Sequence, residues 1–358
     1  MIIYPLLYAA SLALTCAAAA TPPDGRGSDD DRRGHALLAA ARVAREELQP
    51  RFGERFREAA SVLAQEGDFN AAAAALDELL TDPGSEFDRI EARRMKAQYL
   101  LATNRPAEAW MHVTAALQHI DGNPDLKRFG PSYFALIYTG TLCRSLAADA
   151  AGELELLERI TTVDRERFGQ ENVASAMVRK ASILERAGGR AGAIATIDQM
   201  LALYPDWGRE DGRRLHVRFN QLCTRFPERN SHEFINELRQ LWDDPANRSR
   251  PEVLPVGNQL RQSLERAGDG PGAAALARQM VVLIELREEG WLAESRSRSM
   301  EEKSFRLYEF EQLEYLAWSA PHSPADSLWA IGRLLERERN TFRREALMRV
   351  LLERLTTP

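Results

Sequence analysis

The sequence predicts an all-α repeat protein of about six to seven helix hairpins with a diverged C-terminal capping region, and three observations carry that expectation. From His35 onward apolar residues recur at intervals of three and four, the period of a helix face, with almost no alternating β-branched run. The same small and apolar residues return in register around a series of turns. Hydrophobic residues make up 44% and charged residues 28% of the 358 positions, the balance of a chain that folds. In a repeat array each unit packs only on its neighbours, so length sets no limit on the core.

The register is clearest between RFREAASVLAQEGDFNAAAAALDELLTDP, ending at Pro83, and AMVRKASILERAGGRAGAIATIDQMLALYP, ending at Pro205. Aligned on Gly67 and Gly188, Ala60 matches Ala181, Leu63 matches Leu184, Ala72 matches Ala193, Leu76 matches Ile197 and Leu79 matches Met200. Ala97, Leu100, Ala109, Val113 and Ala116 repeat the frame, as do Leu264, Gly268, Ala273, Ala277 and Met280. Small residues let two helices cross closely, Gly or Asn supplies the turn between them, and Pro stops the second helix. Two further units are degenerate, over residues 133–160 and 213–242. The turns fall at 67, 104, 147, 188, about 228 and 268.

A small residue, a turn Gly, a small residue and a closing Pro at these spacings resemble the tetratricopeptide repeat family over roughly residues 50–290. The firm intervals of 37, 43 and 41 residues exceed the family's usual spacing of about 34, which implies longer loops. The resemblance implies a right-handed α-solenoid whose first helices line a concave groove and whose role is protein–protein interaction. The family's Lys and Asn pattern for clamping a C-terminal carboxylate is not evident here, so that ligand is not carried over.

The ends differ from the array. Residues 1–20 carry no charge, are rich in Ala and Leu, and stop at Thr21-Pro22-Pro23, which predicts a secretory signal with Ala18-Ala19-Ala20 at the cleavage point. The missing Lys or Arg near Met1 departs from that pattern, and a retained anchor stays open. Cys16 is the lipidation candidate, in a poor match to a lipoprotein box. Residues 21–34 lack large apolar side chains and are expected to form a disordered linker. The repeats are expected over 35–290, and 291–358 reads as a diverged hairpin and cap: one helical pattern over 299–318, a second from Ser323-Pro324, and a last one with Phe342, Ala346, Leu347, Val350 and Leu351. Cys143 and Cys223 read as buried, unpaired thiols.

The chemistry-bearing motifs of enzymes are missing: there is no HExxH, Walker loop, GxSxG or CxxC pair, and no cofactor is implied. The Gly-rich stretches at 188–192 and 268–272 follow no strand and read as hairpin turns rather than phosphate loops. His112 and His119 share a helix face but lack a third ligand, so no metal site is expected. Glu153, Glu155 and Glu158 read as a solvated acidic face.

Charge is unevenly divided. The net charge of -6 argues against nucleic acid as a partner and leaves the membrane only to the N-terminal signal or a lipid anchor. Yet the first helices of five units, over 89–101, 133–146, 174–186, 213–225 and 254–266, sum to +11. On their outward faces Arg94, Gln98, Arg144, Arg179, Ser182, Arg218, Gln221, Asn258 and Gln262 would form a basic groove, with Phe134, Ile137 and Tyr138 as an apolar patch. Arg forks suit carboxylates and aromatic groups suit a side-chain anchor. The expectation is a non-enzymatic scaffold of the bacterial envelope or periplasm that binds an acidic segment of a protein partner. Two rival readings stand beside it: a lipid-anchored spacer or assembly subunit using its convex face, and an enzyme with a site in the C-terminal region.

Overall fold

The computed structural model describes residues 33–47, 49, 51–294, 298–319 and 324–337, and positions 345, 348 and 349. Every regular element among them is helical. The chain divides into two compact units at the turn between Gly189 and Arg190. The signal, Cys16, and almost all of the expected linker and of the last expected helix lie outside the described residues.

The first unit runs α1 (Arg33–Glu46), α2 (Phe52–Gln65), α3 (Phe69–Thr81), α4 (Glu86–Ala102), α5 (Pro106–Gly122), α6 (Gly130–Leu146), α7 (Ala150–Glu158) and α8 (Gln170–Arg186). Each helix up to α8 packs on the next in sequence; α4 also packs on α2 and on α6. The frame residues explain this. Ala60, Leu63, Ala72, Leu76, Leu79, Ala97, Ala109, Val113 and Ala116 are all fully buried, so the residues repeated in sequence are those that fill the helix crossings.

The turns recur as geometry. A left-handed residue stands at Gly67, Asn104, Ala148, Gly188, Arg229 and Gly268, at or next to each expected turn. In five of them the following residue's N–H donates back five positions: Asp68 to Leu63, Arg105 to Leu100, Asp149 to Arg144, Gly189 to Leu184 and Asp269 to Leu264, all at 2.8–2.9 Å. This closes the first helix by satisfying a carbonyl that has no intrahelical partner. In three turns the same residue then opens the second helix, because the carboxylates of Asp68, Asp149 and Asp269 accept from the N–H of Ala71, Gly152 and Gly272 at 2.9 Å. Asn104 is followed instead by Pro106 in the first turn of α5.

The second unit contains α9 (Arg190–Leu203), α10 (Arg213–Arg225), α11 (His232–Asp243), α12 (Pro245–Arg248), α13 (Val253–Arg266), α14 (Gly270–Glu294), α15 (Arg298–Glu314) and α16 (Pro324–Arg337). Its core joins Phe234, Leu238, Trp242, Val256, Leu260, Ala277, Met280, Ile284, Phe305, Leu316 and Ile331. The boundary expected at 290 falls inside α14. Gly290 does not end that helix, since Trp291 and Leu292 continue its buried face and the Trp291 indole donates to the Ser249 carbonyl at 2.7 Å. Helices α15 and α16 follow the two patterns read from 299 and 324. No described helix is long and apolar enough to cross a membrane.

Candidate functional site

The expected basic groove is already furnished with carboxylates. Arg94 donates two hydrogen bonds to Glu91 from Nε and Nη2 and a third, from Nη1, to Gln98 at 2.8 Å. Arg179 donates from Nε to Glu153 at 2.7 Å and from Nη2 to the Ser145 hydroxyl at 3.1 Å. Arg144 pairs with Asp149 at 2.8 Å. In the second unit Arg218 reaches Glu237 at 3.4 Å, and the buried Gln221 donates to Asp198 at 2.6 Å. Asn258 accepts from Arg261 and Gln312, while Ser182 and Gln262 are half-buried.

The apolar patch departs from expectation. Ile137 is fully buried, because α6 is enclosed by α4, α5 and α7 and has little face left to display. Phe134 and Tyr138 are half-buried and stacked, and the ring of Phe168 packs edge-on against Phe134 at 5.6 Å. A residue from beyond α7 thus takes the contact that a partner's side chain was expected to supply.

The acidic run is also divided. Glu155 is exposed and Glu158 binds Lys180, but Glu153 is 1% exposed beneath Arg179, with Arg186 at 4.0 Å. A second buried carboxylate, Asp164, accepts from Lys127 at 2.9 Å and from the Tyr133 hydroxyl at 2.8 Å. Burial opposes its ionisation, yet those two donors outweigh it and hold the carboxyl below its ordinary range.

An opening in the first unit lies between second helices. Between α5 and α7 a cleft of about 140 Å³ is lined by Trp110, Thr114, Leu117, Asp121, Leu156 and Arg159, with Arg144 of α6 among its lining residues. The Arg144 guanidinium lies 3.9 Å over the Trp110 ring, and Arg159 forks onto Asp121 with both bonds at 3.0 Å. A Cβ at Gly152 would come within 2.5 Å of the Asp149 carboxylate and 2.9 Å of Arg144 Nε, so a larger residue there would displace those side chains. Arg144, expected on the groove, is therefore on the second-helix side.

Helix α4 packs against both α3 and α5, and Arg89, Arg93 and Lys96 lie on one side of it. Lys96 binds Asp77 of α3, and Arg89 approaches Glu86, which also holds His119 of α5. Arg93 makes no ion pair among the described residues. Burial, and then the charge of Arg89, lower its pKa. His112 of α5 is pushed down to about 4, first by burial and then by Lys96 and Arg93, so it is neutral at pH 7.

Sequence reasoning passed over Arg93, although the signal was present. Its neighbours three and four positions away are Arg89, Ile90, Lys96 and Ala97, so no acid on its own helix can reach it. Arg94, one position on, has Glu91 three residues before it.

Cys143 and Cys223 are buried and free, and burial raises the Cys143 thiol to about 12, which makes it unreactive. Among the described residues no three His, Cys, Asp or Glu side chains converge as metal ligands would. The stretches at 188 and 268 are the helix-closing turns already described. In comparisons with known proteins, no family model matches this chain and no curated protein is similar to it.

Proposed function

We propose that this chain is a non-enzymatic protein–protein interaction scaffold, a right-handed α-solenoid of the tetratricopeptide type exported to the bacterial envelope, which holds an acidic segment of a partner protein. The observation that carries the reading is the helix-closing turn repeated in five places, each with the same backward hydrogen bond. A hairpin built on such a turn cannot bury its own apolar stripe, so it stacks on the next and leaves long rows of helix surface free for a partner. Export through residues 1–20 and acylation of Cys16 belong to the same reading. Incorporation of labelled fatty acid into the wild type but not into Cys16→Ser tests the anchor.

Partner capture from envelope extracts tests the function itself. A defined protein retained by the folded chain, cross-linked to one helix face and released by salt, supports the scaffold; an absence of any such protein rejects it. The second reading, an assembly subunit making contact through its second helices, is favoured by the cleft between α5 and α7. Charge reversal separates the two readings. Arg218→Glu should abolish capture if the first-helix groove is used, and Arg93→Glu should do so if the second-helix side is used.

A further inference from the structure

A half-buried cation without an ion pair among the described residues lies on α4, the helix that packs against both α3 and α5. Arg89, Arg93 and Lys96 stand at i, i+4 and i+7 on α4 and so share one side of it. Two of the three have carboxylates: Lys96 is tied to Asp77, and Arg89 has Glu86 at 3.7 Å. Arg93 lies half-buried between them, its Nε sealed from solvent with no hydrogen-bond partner. On α5, His112 Nδ1 is likewise buried and unpartnered. The two positions are close enough for the charge of Arg93 to help keep the imidazole neutral, against the pull of Asp77 and Glu108. A guanidinium whose Nε is sealed and unpaired carries a cost in the free protein that an arriving carboxylate relieves.

Charge decides which anion fits. With Lys96 matched by Asp77, Arg89 sharing Glu86 and His112 neutral, this side of α4 offers about one uncompensated positive charge. That suits a carboxylate of charge -1 better than a phosphate group of about -2. Met111, the residue before His112 on α5, is 69% exposed, an apolar contact for the residues flanking an acidic side chain in a polypeptide.

We propose that Arg93, flanked by Arg89 and His112, is the seat for a glutamate or aspartate side chain of a partner polypeptide docked on the side of α4 that meets α3 and α5. The inference rests on the scaffold reading and gives that reading a specific contact on the second-helix side.

The full chain is titrated with capped octaglutamate, capped octaglutamine and inorganic phosphate, while the His112 ring resonances are followed by NMR. Octaglutamate should bind, shift the His112 signals and raise that ring's titration midpoint above about 4, because a new carboxylate favours the imidazolium. Octaglutamine should not bind. Arg93→Met should weaken octaglutamate about tenfold or more, Arg93→Lys about threefold since the charge stays and the fork is lost, and Arg94→Met less than either. The proposal is overturned by unchanged affinity in Arg93→Met and Arg93→Lys, by unmoved His112 signals, or by phosphate binding as tightly as the peptide, which marks a small-anion site. Octaglutamate binding lost in Arg94→Met but kept in Arg93→Met also overturns it. Partner capture that persists in Arg93→Met leaves the scaffold standing and removes only this seat.

Discussion

Arg179 on α8 and Arg93 on α4 are both half-buried guanidiniums on first helices, and their surroundings are opposite. Arg179 covers Glu153, a carboxylate 1% exposed, and adds a bond to Ser145, so both charges are compensated inside the protein. Arg93 has like charges at i−4 and i+3, an orphaned Nε and a neutral histidine facing it. The difference teaches that the charge of a helix does not measure what it offers a ligand. A cation tied to a buried carboxylate is part of the fold, and one left without a carboxylate is held ready for a partner at some cost to the free state.

The largest expected effect follows from removing the tie. Arg179→Met leaves Glu153 buried with only Arg186, at 4.0 Å, to compensate it. The cost should be about 3 kcal/mol, read as a lower urea midpoint with the indole fluorescence of Trp110 among the reporters. The double variant Glu153→Met with Arg179→Met should recover most of that loss, since two apolar groups replace two charges. A loss below about 1 kcal/mol in the single variant would break the contrast, placing Arg179 among ordinary surface pairs.

This contrast also marks how far the sequence could be read. Turns are local requirements, and the sequence announces them: Gly or Asn in the left-handed position, then Asp or Pro to open the next helix. Even Ala148 and Arg229, which take φ of 55° without being glycine, stand within one residue of the turn position read from the repeat frame. Core positions were equally legible, because Ala60, Ala97, Ala109 and Leu76 follow one period. What could not be read is which carboxylate meets which arginine. Glu153 lies 26 residues before Arg179 and Glu237 lies 19 after Arg218, on neighbouring helices, so no spacing rule links them. Phe168 likewise comes from outside the periodic segments to cover Phe134. Arg93 lay between these cases: the lack of an acid within its own helical reach was visible, and only the fold shows that no neighbouring helix corrects it among the described residues.

A smaller effect separates the two regions by pH. His112 has its folded pKa lowered from 6.5 to about 4, so between those values the unfolded chain takes up a proton that the folded chain refuses. Its stabilising contribution is complete above about pH 6.5 and is lost progressively as pH falls toward about 4. The buried carboxyls Glu91 and Asp164 are also lowered, with burial opposing and Arg94, or Lys127 and Tyr133, prevailing. Their contribution is present above the ordinary carboxyl range and is lost only as pH falls through their depressed values, below about 4. Melting temperatures followed by circular dichroism should therefore decline in two stages, and His112→Gln should flatten the first while leaving the second. Parallel profiles for wild type and His112→Gln would mean that the Arg93 region does not exclude the proton.

The smallest expected effect is the sharpest in sign. Arg93→Met is the same chemical change as Arg179→Met, but it removes a guanidinium that lacks a carboxylate and leaves none behind. The melting temperature should stay level or rise, a gain between zero and about 0.5 kcal/mol, because the methionine stem keeps the apolar contacts of the arginine stem. If Arg93→Met instead lost as much stability as Arg179→Met, the guanidinium would be tied into the fold after all. A level or higher melting point together with weaker octaglutamate binding is the signature of a residue kept for a partner, since a residue serving the fold alone loses stability when it is removed.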